Sequence, residues 1–299
     1  MDRRLSLGLF LGFVAVLMFG GTLPMTRFAL GELNPWFITF GRAALAGIAA
    51  LALVLVMRRP WPFSAPATVR DLALSSVALI FGFPIFIAIA TRTVPASHGG
   101  IVLGLLPLFT AIAAVVVAGE RPGLPLFAAS AVGAGLVATF ALRNGGAGGL
   151  GTGDTLLFLG VVVCAAGYGI SGRLARRMAG WEVIAFMLIL CLPVTLPLAL
   201  LTFPWGASVS VPVWGAFAYL GLFSQLIGFF FWNAGLAMGG IARVGQMQLL
   251  QTFVTVALAW PVNGEKPDPE TIGFAVAVVL VVAIAQRVAV RRPRPPGGG

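Results

Sequence analysis

Apolar runs of about twenty residues, roughly one bilayer crossing each, occur ten times along this chain. They lie at about 5–25, 36–57, 72–91, 99–118, 124–142, 155–172, 183–202, 213–236, 244–262 and 271–290. In lipid, such a run can satisfy its own backbone donors and acceptors only as a helix or inside a closed barrel. The period-two alternation of a barrel strand is absent, so the runs read as helices. An all-α integral membrane protein with ten transmembrane helices is expected. The connections are short and rich in breakers, among them Asn34-Pro35, Arg59-Pro60-Trp61-Pro62 and Pro267-Asp268-Pro269. Only Arg143 to Asp154 (RNGGAGGLGTGD), at the midpoint, reads as a flexible linker.

The two halves resemble each other. Gly119-Glu120-Arg121-Pro122 returns 145 residues later as Gly264-Glu265-Lys266-Pro267, each copy closing an apolar run. Upstream, at the same offset, Gly100 matches Gly245, Leu105 matches Leu250, Thr110 matches Thr255 and Ala114 matches Ala259. Arg27-Phe28-Ala29 and Arg173-Leu174-Ala175 pair spans one and six at an offset of 146. The expected organisation is a first repeat over 5–143, a Gly-rich linker over 144–154 and a second repeat over 155–290.

Nine per cent charged residues, 59 per cent hydrophobic residues and a mean hydropathy of +1.02 exclude an ordinary soluble domain. The net charge of +10 does not point to nucleic acid. Its cations are scattered in small groups at the ends of apolar runs, with no basic face interleaved with aromatics. They orient the spans instead. With the N-terminus inside, the inner side receives Arg3, Arg4, Arg58, Arg59, Arg70, Arg121, Arg173, Arg176, Arg177, Arg243, Arg287, Arg291, Arg292 and Arg294. The outer side receives Arg27, Arg92, Arg143 and Lys266, a bias of fourteen to four. Both termini are therefore expected in the cytoplasm. The Gly-Glu motifs close spans four and nine, five crossings apart, so the second half is inserted upside down relative to the first. Glu120 should then face the cytoplasm and Glu265 the outside, capping spans four and nine at opposite mouths of one cavity. Arg3-Arg4 followed by an apolar stretch to about Met25 reads as a retained first span, because Gly20-Gly21-Thr22 offers no clear cleavage site.

These residues carry a resemblance. Five-span halves ending in Gly-Glu-Arg/Lys-x-Pro, the run Pro107-Leu108-Phe109-Thr110-Ala111, Trp232-Asn233 closing span eight and Gly41-Arg42-Ala43-Ala44-Leu45-Ala46 in span two resemble the EamA-type drug/metabolite transporter superfamily. The resemblance covers about residues 10–290. Met18-Phe19-Gly20 departs from it, standing where many relatives have Trp-Gly. The resemblance implies a ten-helix carrier of the bacterial inner membrane, one that exports or exchanges small metabolites, amino acids among them, through a cavity between the halves.

Polar groups in a membrane helix usually face the bundle interior. On span nine, Gln248, Gln251, Thr252 and Thr255 share one face. Gln225, Phe229, Trp232 and Asn233 share a stripe on span eight. Such amides either line a cavity or join neighbouring helices. Arg42, about 9 Å below the outer end of span two at 1.5 Å per residue, is either a fixed cation facing a substrate carboxylate or an anchor for backbone carbonyls. Tyr168 on span six is a cavity aromatic. The candidate contact set is Arg42, Tyr168, Gln225, Trp232, Asn233, Gln248, Gln251 and Thr255. Neutral amides and aromatics with one cation suit a small zwitterion or amphipathic metabolite better than a polyanion.

All nine acidic residues fall in tails, loops or span ends, so no mid-membrane carboxylate serves as a proton relay. His98 reads as an exposed residue at the outer start of span four, without an identified partner. Facilitated diffusion or exchange is the expected mechanism. Cys164 and Cys191 read as buried hydrophobes, and no metal or cofactor site is expected. Lys266 is the single lysine and Pro267 follows it, so the chain holds no P-loop. Two alternatives belong to other classes. Gly169-Ile170-Ser171-Gly172 matches a pattern of intramembrane serine proteases, but Ser171 and His98 should lie near opposite membrane faces. A channel or scaffold lacks a visible ring of charges. The expected partners are a small metabolite and the lipid bilayer.

Overall fold

The computed structural model describes residues 3–144 and 151–290. Ten helical stretches follow one another: span one Arg3–Ala29, span two Pro35–Val56, span three Pro66–Ala90, span four Ala96–Ala118 and span five Leu124–Asn144. Span six is Thr152–Leu174, span seven Gly180–Thr202 and span eight Val211–Gly239. Span nine is Ile241–Gly245 continued by Gln248–Asn263, and span ten is Pro269–Val290. Spans one to four and six to eight are long and apolar enough to cross a membrane. The expected Gly-rich linker falls largely on 145–150, outside the described residues, as do Arg291, Arg292 and Arg294. Span six begins three residues ahead of its expected start, because the Asp154 carboxylate accepts the Gly151 N–H at 3.0 Å and fixes the first turn.

Local sequence sets the ends. Asn34 caps span two by accepting the Phe37 N–H at 2.8 Å, with Pro35 in its first turn. Gly119 and Gly264 end spans four and nine at φ values of +64° and +73°, a left-handed conformation that glycine adopts without steric cost. Two further features have no signature in composition. Span three passes through a π-helical turn at Val77–Gly82, and span eight through another at Tyr219–Ile227. Both end at the same position of the repeat, since Gly82 and Ile227 are 145 residues apart.

The packing is that of two interlocked halves. Span one lies along span eight and span three along span six, while spans two and seven, four and nine, and five and ten pair with each other. Exchanging the halves reproduces this list. Spans four and nine cross antiparallel, the end of each against the start of the other. There the repeated residues meet. A Cβ on Gly100 would stand 2.5 Å from Thr255 Cγ2, and one on Gly245 would stand 2.9 Å from Thr110 Cγ2. Each glycine thus receives the other half's threonine, which explains why both pairs recur at one offset.

Candidate functional site

At the centre, aromatic rings from three spans pack together. Tyr168 of span six lies 5.0 Å from Trp232 and 6.0 Å from Phe229, both on span eight. Phe19 of span one closes the group at 5.0 Å from Phe229 and 6.0 Å from Trp232. All four are buried. Phe19 was not among the sequence candidates; the signal available was the run Met18-Phe19-Gly20 itself, an aromatic before a glycine where many relatives have Trp-Gly.

The amides of span nine border this group. Gln248 accepts the Thr110 hydroxyl at 3.2 Å and comes close to Tyr168. The amide nitrogen of Gln248, the amide oxygen of Gln251 and the indole nitrogen of Trp232 are buried without a hydrogen-bond partner. An unmade hydrogen bond on a buried group costs about 1–3 kcal/mol, and these three atoms stand without that compensation. The other two candidates are occupied differently. Thr255 donates to the Gly20 carbonyl at 2.9 Å while its methyl fills the Gly100 notch. Asn233 donates to the Gly180 carbonyl at 3.2 Å, joining span eight to the start of span seven, and leaves its oxygen unpartnered.

Arg42 is 4 % exposed and, among the described residues, is held by Gln225. Its Nε donates to the Gln225 amide oxygen at 2.8 Å, and a terminal nitrogen donates to the same atom. Gln225 sits in the π turn of span eight, and its amide nitrogen reaches the carbonyl of Leu79 in the π turn of span three at 3.5 Å. Leu79 also packs on Gly167, next to Tyr168, so a chain of contacts runs from the cation to the aromatic cluster.

The two Gly-Glu motifs stand at opposite ends of the bundle. Glu120 accepts the N–H groups of Ile241 and Ala242 at 2.9 and 3.0 Å and pairs with Arg176. Glu265 accepts those of Ala96 and Ser97 at 3.1 and 2.8 Å and pairs with Arg27 at 3.1 Å. Each carboxylate therefore caps the opposite half's central helix, at the end where backbone donors are exposed and the dipole is positive. The expectation had each glutamate closing its own span; the antiparallel crossing gives each the other's N-terminus. A cavity of about 280 Å³ lies beside Glu120, lined by Arg121, Leu126, Gly240 and Arg243. One of about 630 Å³ lies beside Arg27, lined by Asn34, Trp36, Thr91 and Arg92.

His98 departs from its expectation. It is not an exposed residue without a partner: its Nε2 meets Asp154 Oδ1 at 2.8 Å, in a pair whose side chains are 11 % and 14 % exposed. The early start of span six brings the carboxylate there. Ser171 is buried, donates at 3.4 Å to the carbonyl of Tyr168 on its own helix, and lies seventeen residues from Asp154 along span six, about 25 Å at helical rise. His98 and Ser171 thus stand at opposite ends of the bundle.

Both halves match the EamA-like transporter family, over residues 6–142 and 152–286. The chain belongs to that family. This EamA-like protein is 42 % identical over 280 residues to the uncharacterized transporter YdeK of Bacillus subtilis (strain 168), covering 93 % of this chain and 96 % of that one. It is 26 % identical over 286 residues to the aromatic amino acid exporter YddG of Ancylobacter novellus, covering 91 % and 93 %. A solved crystal structure shares its fold with a TM-score of 0.69 and 23 % identity, over 96 % of this chain and 98 % of the other. The EamA-like chain is thus a multi-pass membrane transporter built from a duplicated unit, and its family is one of transporters, not of enzymes.

Proposed function

We propose that this protein is a secondary transporter that moves a small amino-acid-like metabolite across the bacterial inner membrane by alternating access, as an exporter or exchanger. The observation that carries this reading is the central cluster. Trp232 and Gln248 present unpartnered donors and Gln251 an unpartnered acceptor, beside the ring faces of Phe19, Tyr168 and Phe229. A zwitterion with an apolar side chain brings hydrogen-bonding groups for these donors and this acceptor and a hydrophobic body for the rings. The printed function of the YddG relative, aromatic amino acid export, supports the same class. In this reading the repeats rock about the centre, and the Glu120 and Glu265 mouths open in turn. The charge distribution supports both termini facing the cytoplasm.

Counterflow in proteoliposomes with a panel of labelled amino acids tests it. Trans-acceleration by unlabelled substrate is expected, and its absence alongside passive flux would indicate a channel. Gln248→Ala and Gln251→Ala should each raise KM about tenfold, the loss of one hydrogen bond to a charged group. Unchanged kinetics in both would displace the site from span nine.

A further inference from the structure

Resting on that reading, we propose that Arg42 is the carboxylate anchor of the transport site and that Gln225 is its removable placeholder, occupying the guanidinium until a substrate carboxylate takes its place.

Two other arginines show what a structural anchor looks like in this fold. Arg27 donates to the carbonyls of Thr91 and Val94 and pairs with Glu265. Arg173 donates to the Val117 carbonyl and pairs with Asp71 at 2.8 Å. Both are about a third exposed, and both combine a backbone carbonyl with a carboxylate. Arg42 has neither. Among the described residues no carboxylate and no backbone carbonyl meets its guanidinium; a single neutral amide oxygen takes two of its donors. A buried cation matched by a neutral dipole is under-compensated, and a membrane interior makes that more costly than in a soluble core. The planar fork fits a carboxylate with two parallel bonds, where the amide offers one oxygen.

The placeholder is weakly tethered. The second hold on Gln225 is the 3.5 Å contact to the Leu79 carbonyl, at the outer limit of a hydrogen bond. Both residues lie in π turns, where the widened winding presents groups that an α-helix would keep to itself. The amide can therefore swing aside at small expense, while Arg42 stays fixed on the regular helix of span two.

Opposite changes at one position test this. Gln225→Glu installs a resident carboxylate on Arg42, so KM for amino acids in counterflow should rise at least tenfold, with thermal stability kept or raised. Gln225→Ala removes the competitor, and KM should fall about threefold. Phenethylamine, which keeps a ring and an ammonium but has no carboxylate, should bind both variants equally in thermal-shift measurements. Equal weakening of amino-acid transport by both substitutions would overturn the anchor and leave the transporter reading standing. If the unmodified protein exchanges no amino acid, the substrate class falls instead, and 3-phenylpropionate decides the anchor. Stabilisation of the unmodified protein by that carboxylate, lost in Gln225→Glu, supports the anchor; no stabilisation overturns it.

Discussion

Glu120 and Glu265 perform one task at two ends of the molecule, and their surroundings differ in kind. Each carboxylate caps two backbone N–H groups and pairs with an arginine, and each is equally sheltered, with 16 % of its side chain exposed. The neighbouring residue breaks the match. The repeat sets Arg243 at the Glu120 mouth where it sets His98 at the other. Around Glu120 the cations are guanidiniums, with Arg173 and Arg59 holding Asp71 and Glu182 on the same side. Around Glu265 the groups include Arg27, His98 and Asp154, so an imidazole stands where the other end has a guanidinium. Duplication thus supplied two equal clasps whose neighbouring cations differ in kind.

The strongest way to break this comparison is to remove the clasps. Glu120→Ala and Glu265→Ala should each destabilise the protein by about 3 kcal/mol, since two charge-assisted bonds to helix donors are lost. Thermal midpoints in detergent that fell for one variant and not the other would end the equivalence. Next in size is the crossing itself. Gly100→Ala should cost about 1–3 kcal/mol by overpacking Thr255, and Gly245→Ala somewhat less against Thr110. Combining Gly100→Ala with Thr255→Ser removes the nearer of the two colliding carbons, keeps the hydroxyl that bonds Gly20, and should restore part of the loss.

The difference between the clasps makes a smaller prediction. The contact between His98 and Asp154 ties the start of span four to the start of span six beside Glu265. His98→Ala should therefore raise the labelling of a cysteine placed beside Trp36 severalfold. A cysteine beside Arg121, at the other end of the bundle, should show no such rise. The smallest effect belongs to Glu32. The N–H and hydroxyl of Ser210, at the start of span eight, donate to its carboxylate and hold its pKa below the ordinary value. A lowered pKa stabilises the folded form above the unfolded value, and the contribution is lost as pH falls through the folded one. The slight loss of thermal stability on acidification below about pH 4 should thus shrink in Glu32→Gln, which cannot titrate.

Much of this was legible in the sequence because lipid leaves few choices. Apolar runs must be helices, cations must sit at their ends, and an odd number of crossings between copies must invert them. Arg42, Gln225, Trp232 and Gln248 were legible as polar or amphipathic groups in spans where such groups are costly. Their pairing was not. That Gln225 meets Arg42 depends on two π turns, and nothing in the composition of Val77–Gly82 or Tyr219–Ile227 announces a widened turn. The His98–Asp154 pair was hidden for a related reason: it depends on span six starting at Thr152, inside a stretch whose glycines read as linker. The exchange of caps between spans four and nine needed the antiparallel crossing, a fact of tertiary structure.

That exchange also orders the protein in time. The acceptor that caps Ala96 and Ser97 is Glu265, 168 positions further along the chain from Ser97. At a synthesis rate of about 5–20 residues per second, the start of span four waits on the order of ten seconds or more for it. The first half of this transporter therefore enters the membrane before its cap exists, and a chain cut short just before Glu265 leaves a helix uncapped more than a hundred residues upstream of the break.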